Sequence, residues 1–312
     1  MTVDHRAAKA PSFGLTLEHA ARRLPSGLRT RFAPAPTGFL HLGHVANALV
    51  VWGVARASGG QVVLRIEDHD RERCRPEFEA ALLDHLDALG FAADEPTMDA
   101  LRAGAASPYR QSDNNAIYAA AAATLDAAGL LYACDCTRST FAAWTASHGS
   151  PWSGPGCPGD CLSRRLPPDR AGVAWRVTLG VGREQWTDLV LGRQAGEPSA
   201  FGDLPIRDRR GNWTYALCVI VDDARHRIDL VIRGQDLVGA TAAQVRLGRL
   251  LGRTTPPLFL HHPLIRRADG RKLSKAEGAT SVRELLAAGA TAAELRARAA
   301  AAIGLGPGQA GT

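Results

Sequence analysis

Residues 28–68, LRTRFAPAPTGFLHLGHVANALVVWGVARASGGQVVLRIED, constrain this chain more than any other stretch. A short strand is stopped by prolines, a helix follows and closes on Gly59 and Gly60, and a second strand rich in β-branched residues begins at once. Two strands joined through a helix in so few residues must lie parallel, with a right-handed crossover. An α/β architecture follows. Further along, PEFEAALLDHLDALGF sets Phe78, Leu82, Leu86 and Leu89 on one helical face, and NNAIYAAAAATLDAAGLLY and TAAQVRLGRLLG read as helices. From 173 onward VAWRVTL, EQWTDLVLG, DLPIRD, WTYALCVIVDD and RIDLVIRG read as strands, with RRGN as a turn. SVRELLAAGATAAELRARAAAAIGL forms one or two alanine-rich helices.

The 312 residues are 46% hydrophobic, enough to bury a sizeable core, and no solenoid repeat is present. No run approaches the roughly 20 apolar residues of a membrane span, and the N-terminus lacks the apolar stretch of a secretory signal. The expected location is the cytoplasm, with no membrane partner. The formal charge of +6 suits a polyanionic partner such as RNA.

Three stretches carry chemistry. Pro34, Pro36 and Gly38 lead a tight loop into HLGH, where a helix N-terminus offers unpaired backbone N–H groups to an anion. His41 and His44 there either pack locally or meet phosphate. Far along the chain GRKLSKAEG sets Lys272 and Lys275 on a Gly-bounded loop, either a solvated charge run or a second phosphate contact, with Glu277 beside it. Between 133 and 172 the chain turns to Cys, Gly, Pro and Ser, too poor in apolar residues to fold by burial alone. YACDCTR supplies Cys134 and Cys136, and GPGCPGDCLSR supplies Cys157 and Cys161. Four thiolates in two close pairs suit one tetrahedral structural zinc per chain, whose ligation would order the loop. Cys74 and Cys218 fall outside this group and are expected to be structural.

HLGH and KLSK together resemble the paired nucleotide-binding signatures of class I aminoacyl-tRNA synthetases, and RFAPAPTGFLHLGH, LRIEDHDRER and VIRGQDL resemble the glutamyl-tRNA synthetase branch. The likeness runs from about Thr30 to Ser281. It implies a Rossmann-like catalytic core that uses ATP with Mg²⁺ to activate L-glutamate. His41, His44 and Lys275 would be the catalytic groups, and Gly43 and Lys272 would join them around ATP. The same resemblance assigns glutamate to Arg31, Phe32, Ala33, Pro34, Ala35, Glu67, Tyr215 and Arg233: cations for the carboxylates, Glu67 for the ammonium, and Tyr215 to close the pocket.

CxCTR in the insertion, on a chain that ends 37 residues after KLSK, resembles the short paralogues of that branch. These activate glutamate without tRNA and transfer it to queuosine at the wobble position of tRNA(Asp). The likeness implies docking on the anticodon stem-loop and a monomer. Those paralogues usually place a tyrosine as third metal ligand, separated from the last cysteine by three residues; here that position is Cys157. The alternatives are a truncated glutamyl-tRNA synthetase charging a tRNA 3′ end, and a catalytically silent glutamate or nucleotide sensor. The expected organisation is a flexible leader (1–27), the first half of the catalytic domain (28–132), the zinc-binding insertion (133–172), the second half with the KLSK loop (173–282) and a short helical tail without an anticodon-binding domain (283–312).

Overall fold

A computed structural model of the chain describes residues 13–22, 24–148, 157, 160–265 and 280–306. In chain order the elements are α1 (Phe13–Ala21), β1 (Arg29–Phe32), α2 (Leu42–Ala57), β2 (Gln61–Leu64), α3 (Pro76–Ala88), α4 (Met98–Arg102), α5 (Asn115–Ala127) and β3 (Leu131–Cys134). There follow α6 (Arg138–His148), α7 (Asp160–Arg164), β4 (Ala174–Val177), β5 (Glu184–Asp188), β6 (Gly192–Gly196), β7 (Leu204–Arg207) and α8 (Tyr215–Arg225). The last are β8 (Leu230–Gly234), α9 (Thr241–Leu250), β9 (Leu258–His262), α10 (Val282–Ala287) and α11 (Ala292–Ala302).

Six strands form one sheet in the order β2-β1-β8-β9-β5-β6. The β2, β1, β8, β9 and β5 neighbours are parallel, and β6 closes the edge antiparallel to β5. The chain leaves β1 through α2 to one side, while β8 lies on the other, so strand order reverses between β1 and β8. Open α/β sheets bind ligands at such a reversal, beyond the carboxyl ends of the strands. The β3, β4 and β7 strands make a second, antiparallel sheet, order β3-β4-β7, that carries the cysteine-rich insertion.

The expected βαβ unit is present. Helix α2 lies across the sheet with Val50, Val51 and Trp52 almost wholly buried, which accounts for its apolar run. The turn into β2 needs Gly60, because a Cβ there would lie 2.3 Å from the Leu28 carbonyl oxygen. At the end of the chain, Ser281 with Glu284 and Thr291 with Glu294 form capping boxes that start α10 and α11. Leu295 and Ala299, both 0% exposed, join the core around α2.

Two elements differ from the sequence reading. The segment expected as a flexible leader contains α1, whose Leu17 and Ala21 are buried, and Gly14 N donates to the Gly304 carbonyl at 3.2 Å. WTYALCVIVDD, expected as a strand, is helix from Tyr215. Its β-branched residues favoured the strand, but as a helix it turns Asp222 and Asp223 inward, and tertiary charge pairing outweighs propensity.

His226, just past α8, is 6% exposed, stacks on Tyr109 at 4.8 Å and hydrogen-bonds the Pro108 carbonyl through Nε2 at 3.1 Å. Burial pushes its pKa from 6.5 to about 4. Between those values the unfolded chain takes a proton that the folded chain refuses, so stability falls as pH falls through that window. His226→Gln is expected to flatten the dependence of melting temperature on pH there. An unchanged slope would show that other groups carry it.

Candidate active site and metal centre

The two histidines of HLGH build the start of α2. His41 is the N-cap, and its Nδ1 accepts from Gly43 N at 3.0 Å. His44 Nδ1 accepts in return from His41 N at 3.1 Å, and the rings lie 4.0 Å apart. This is a capping box made of imidazoles, so local packing and phosphate chemistry are not competing explanations for the pair. An Nδ1 that accepts forces the proton of a neutral imidazole onto Nε2. Both rings therefore present N–H donors beside the backbone donors and the positive dipole of the helix end. Gly43 is required for this geometry, since a Cβ there would lie 2.8 Å from His41 Cε1 and 3.0 Å from its Nδ1.

A buried charge network supports the opposite wall. Arg31, at the end of β1, pairs with Asp223 through Nε at 3.2 Å and donates to the Ile232 carbonyl at 3.1 Å. Arg65, fully buried, pairs with Asp223 at 2.8 Å and Glu67 at 2.9 Å and stands 3.9 Å from Asp222. Burial alone would weaken the Arg65 cation, but Asp223, Glu67 and Asp222 reverse the effect and raise its pKa. For Asp223, burial alone would favour the neutral acid, yet Arg31 and Arg65 hold its carboxyl below the usual range. Asp222 is fixed further by Gln111 and the Tyr118 hydroxyl, each at 2.9 Å. The network holds the Glu67 carboxylate at the pocket edge through Arg65.

Arg233, on β8, is different. It is 5% exposed, and its partners are neutral: His261 Nε2 at 3.0 Å, Thr241 Oγ1 at 2.9 Å and the Gln244 side-chain oxygen, with the guanidinium 5.3 Å from the Phe259 ring. Because His261 Nε2 accepts, its proton sits on Nδ1, which faces Asp188 at 2.5 Å. Burial also disfavours the His261 imidazolium. Burial lowers the Arg233 pKa, opposed by the Tyr215 hydroxyl and Asp223. Among the described residues no carboxylate forms an ion pair with Arg233. A buried cation whose partners among the described residues are neutral calls for an anionic ligand.

These walls enclose one cavity of about 490 Å³. Arg31, Ala33, Ala35, His41, Gly43, His44, Glu67, Tyr215 and Arg233 all line it, so residues more than 200 positions apart share one cavity. Phe32 does not line it: strand alternation turns its ring into the core, 1% exposed against Trp52. Pro34 is buried beside the cavity and contributes its carbonyl to Glu67 N at 3.1 Å. Lys272, Lys275 and Glu277 lie outside the described residues. Both flanks of that segment reach the site, since Pro263, Leu264 and Ile265 line the cavity and Ser281 bridges to His41. Sequence reading missed Arg65, Asp222, Asp223, Asp188 and His261. Only Arg65 left a signal, lying two residues before Glu67 and so on the same side of an extended segment.

The four insertion cysteines also converge. Cys134 ends β3, Cys161 lies in α7, and Cys157 is tied to Asp203 by a pair of backbone hydrogen bonds at 3.3 and 2.9 Å. All four sulfurs lie within 4.8 Å of one another. Tetrahedral thiolate ligation with bonds of about 2.3 Å sets the sulfurs about 3.8 Å apart. Cys136 Sγ stands 3.8 Å from Cys157 Sγ and 3.1 Å from Cys161 Sγ, so the donors fit one tetrahedral ion. Arg164 donates to Cys161 Sγ at 2.8 Å and Arg209 to the Cys136 carbonyl at 2.7 Å, placing positive charge around the sulfur cluster.

The profile of the family described as tRNA synthetases class I (E and Q), catalytic domain, matches residues 27–295. The chain is 41% identical over 261 residues to the glutamyl-Q tRNA(Asp) synthetase of Cupriavidus metallidurans, covering 81% of this chain and 79% of that relative. To the protein of the same name from Rhodobacter capsulatus it is 38% identical over 284 residues, covering 86% of this chain and 98% of that one. Among solved structures, the glutamate tRNA ligase of Elizabethkingia meningosepticum in complex with its amino acid aligns with a TM-score of 0.66 at 26% identity. That alignment covers 85% of this chain and 54% of the ligase. No described helix is long and apolar enough to cross a membrane.

Proposed function

Because the chain belongs to the class I tRNA synthetases of the E and Q family, we propose that it activates L-glutamate with ATP and transfers the glutamyl group to queuosine at the wobble position of tRNA(Asp). The observation that carries the activation step is the shared cavity. It joins a buried arginine that has no carboxylate ion-pair partner among the described residues to a helix N-terminus armed with two imidazole donors. The acceptor is argued from the relatives named for it, which the chain matches over most of their length.

In the first step a glutamate carboxylate oxygen attacks the α-phosphorus of ATP and pyrophosphate leaves. Arg233 takes one carboxylate of the substrate, Arg31 frames the pocket, Glu67 receives the ammonium, and Tyr215 closes over Arg233. His41 and His44 meet the negative charge that grows on the phosphate oxygens, which preorganised donors stabilise. Lys272 and Lys275 complete the phosphate contacts. No protein nucleophile is required, and the acceleration comes from position and electrostatics. In the second step the acceptor base attacks the acyl carbon and AMP leaves, with the catalytic core docked on the anticodon stem-loop. Mg²⁺ enters with ATP.

Pyrophosphate exchange with glutamate and ATP alone tests the activation step, and labelled glutamate with total tRNA identifies the acceptor. Exchange without tRNA and label on a wobble nucleotide are expected. Exchange strictly dependent on tRNA(Glu), with label at a 3′ terminus, would establish a tRNA-charging enzyme instead. A protein forming no adenylate would be a sensor.

Cys134, Cys136, Cys157 and Cys161 hold zinc in this reading. Bound there, the ion would supply a structural cross-link that orders the insertion. Elemental analysis is expected to find about one zinc per chain, and Cys161→Ser to lose most of it along with protease resistance in the insertion. A zinc-free preparation with an intact insertion would remove the metal from the fold.

A further inference from the structure

Arg233 is the last member of a buried line of polar side chains that crosses three strands. In register, Asp188 at the end of β5 lies opposite Phe259 on β9. His261 is two residues further along β9, so it shares the Phe259 face, and it lies opposite Arg233 on β8. Asp188 Oδ2 meets His261 Nδ1, and His261 Nε2 meets Arg233 Nε. All three side chains are buried, and the His261 ring lies nearly parallel to that of Phe259, at an interplanar angle of 7°.

Each bond in the line dictates the next. One Asp188 carboxylate oxygen accepts from Val190 N and Leu191 N, both at 2.9 Å, which leaves Oδ2 for His261. A carboxylate only accepts, so the imidazole proton stands on Nδ1 and Nε2 offers its lone pair. Arg233 Nε only donates, so this tautomer alone can hold it. The other tautomer would set N–H against N–H in the protein interior. Apolar side chains would hold β5, β9 and β8 together at least as well, so the line is explained by what Arg233 does at its end.

We propose that Asp188 is a positioning residue for glutamate: by fixing the His261 tautomer it fixes the plane in which Arg233 presents its remaining donors to the substrate carboxylate. The inference rests on the placement of glutamate at Arg233 in the enzyme reading above.

The test is Asp188→Asn, which keeps the shape of the side chain. Its oxygen must stay under the Val190 and Leu191 N–H groups, so its NH₂ faces His261 and turns the imidazole proton onto Nε2, against Arg233. In pyrophosphate exchange the glutamate KM is expected to rise about 10–100-fold, as for a buried donor left unpaired, with kcat at saturating glutamate and the ATP KM within a few-fold of wild type. Nitrogen-15 NMR of histidine-labelled protein reads the tautomer itself. The His261 ring signals, identified by their loss in His261→Gln, should show the proton on Nδ1 in the wild type and on Nε2 in Asp188→Asn. His261→Gln, whose side-chain oxygen can accept from Arg233 Nε, should recover a glutamate KM near that of the wild type. Adding Asp188→Asn to it should raise the KM little further, because no tautomer remains to turn over. A residue that merely braces the sheet would lower the melting temperature in both backgrounds and leave the glutamate KM in place. An unchanged glutamate KM in Asp188→Asn, a proton still on Nδ1, or equal increments in the two backgrounds would overturn this inference alone. A wild-type protein that exchanges no pyrophosphate would overturn the enzyme reading and this inference together.

Discussion

Arg233→Ala is expected to raise the glutamate KM by about 10²–10³ and leave the ATP KM within a few-fold. The guanidinium is buried, and its hydrogen bonds to His261, Thr241 and Gln244 orient it without neutralising it. The substrate carboxylate thus completes a desolvated ion pair, and truncating one member of such a pair costs about 2–5 kcal/mol. Arg233→Lys should recover little, because an ammonium cannot hold three neutral partners in a plane and still offer a paired donor. Equal effects on both substrates would place Arg233 outside glutamate recognition.

Substituting His41 separates scaffold from chemistry. In His41→Asn the side-chain oxygen can still accept from Gly43 N, and asparagine is among the best N-cap residues. The melting temperature should stay close to that of the wild type, while the rate of glutamate activation falls by about 10²–10³, the cost of one preorganised donor at a developing oxyanion. His41→Ala should lose the same rate and also about 1 kcal/mol of stability through the missing cap. Activity retained in the asparagine variant would confine His41 to a structural role.

Much of the site could be read from the sequence because its parts are local signals. HLGH follows a strand and opens a helix, and the four cysteines announce themselves by spacing. What stayed hidden is pairing across distance. Asp222 and Asp223 follow a run rich in β-branched residues that suggests a strand ending in solvent, and only the helical α8 turns both carboxylates onto Arg65 and Arg31. Likewise Asp188 and His261 acquire meaning only once β5, β9 and β8 lie side by side. The resemblance takes in Phe32 with the whole segment from Arg31 to Ala35, but alternation along β1 sends neighbours to opposite faces. The α1 helix, nine residues long, is too short for its periodicity to stand out, and it is recognisable only through the core that receives Leu17.

The imidazole capping box also bears on how such a chain can change over time. One side chain begins a helix and, in the proposed reaction, touches phosphate, so a descendant that abandons adenylation cannot discard His41 freely. It keeps the scaffold by substituting Ser, Thr, Asp or Asn there. Position 43 would then be released as well, because the obstacle to a larger residue is the vanished ring. Paired drift at 41 and 43 is therefore the mark by which a retired member of this lineage can be told from a working one.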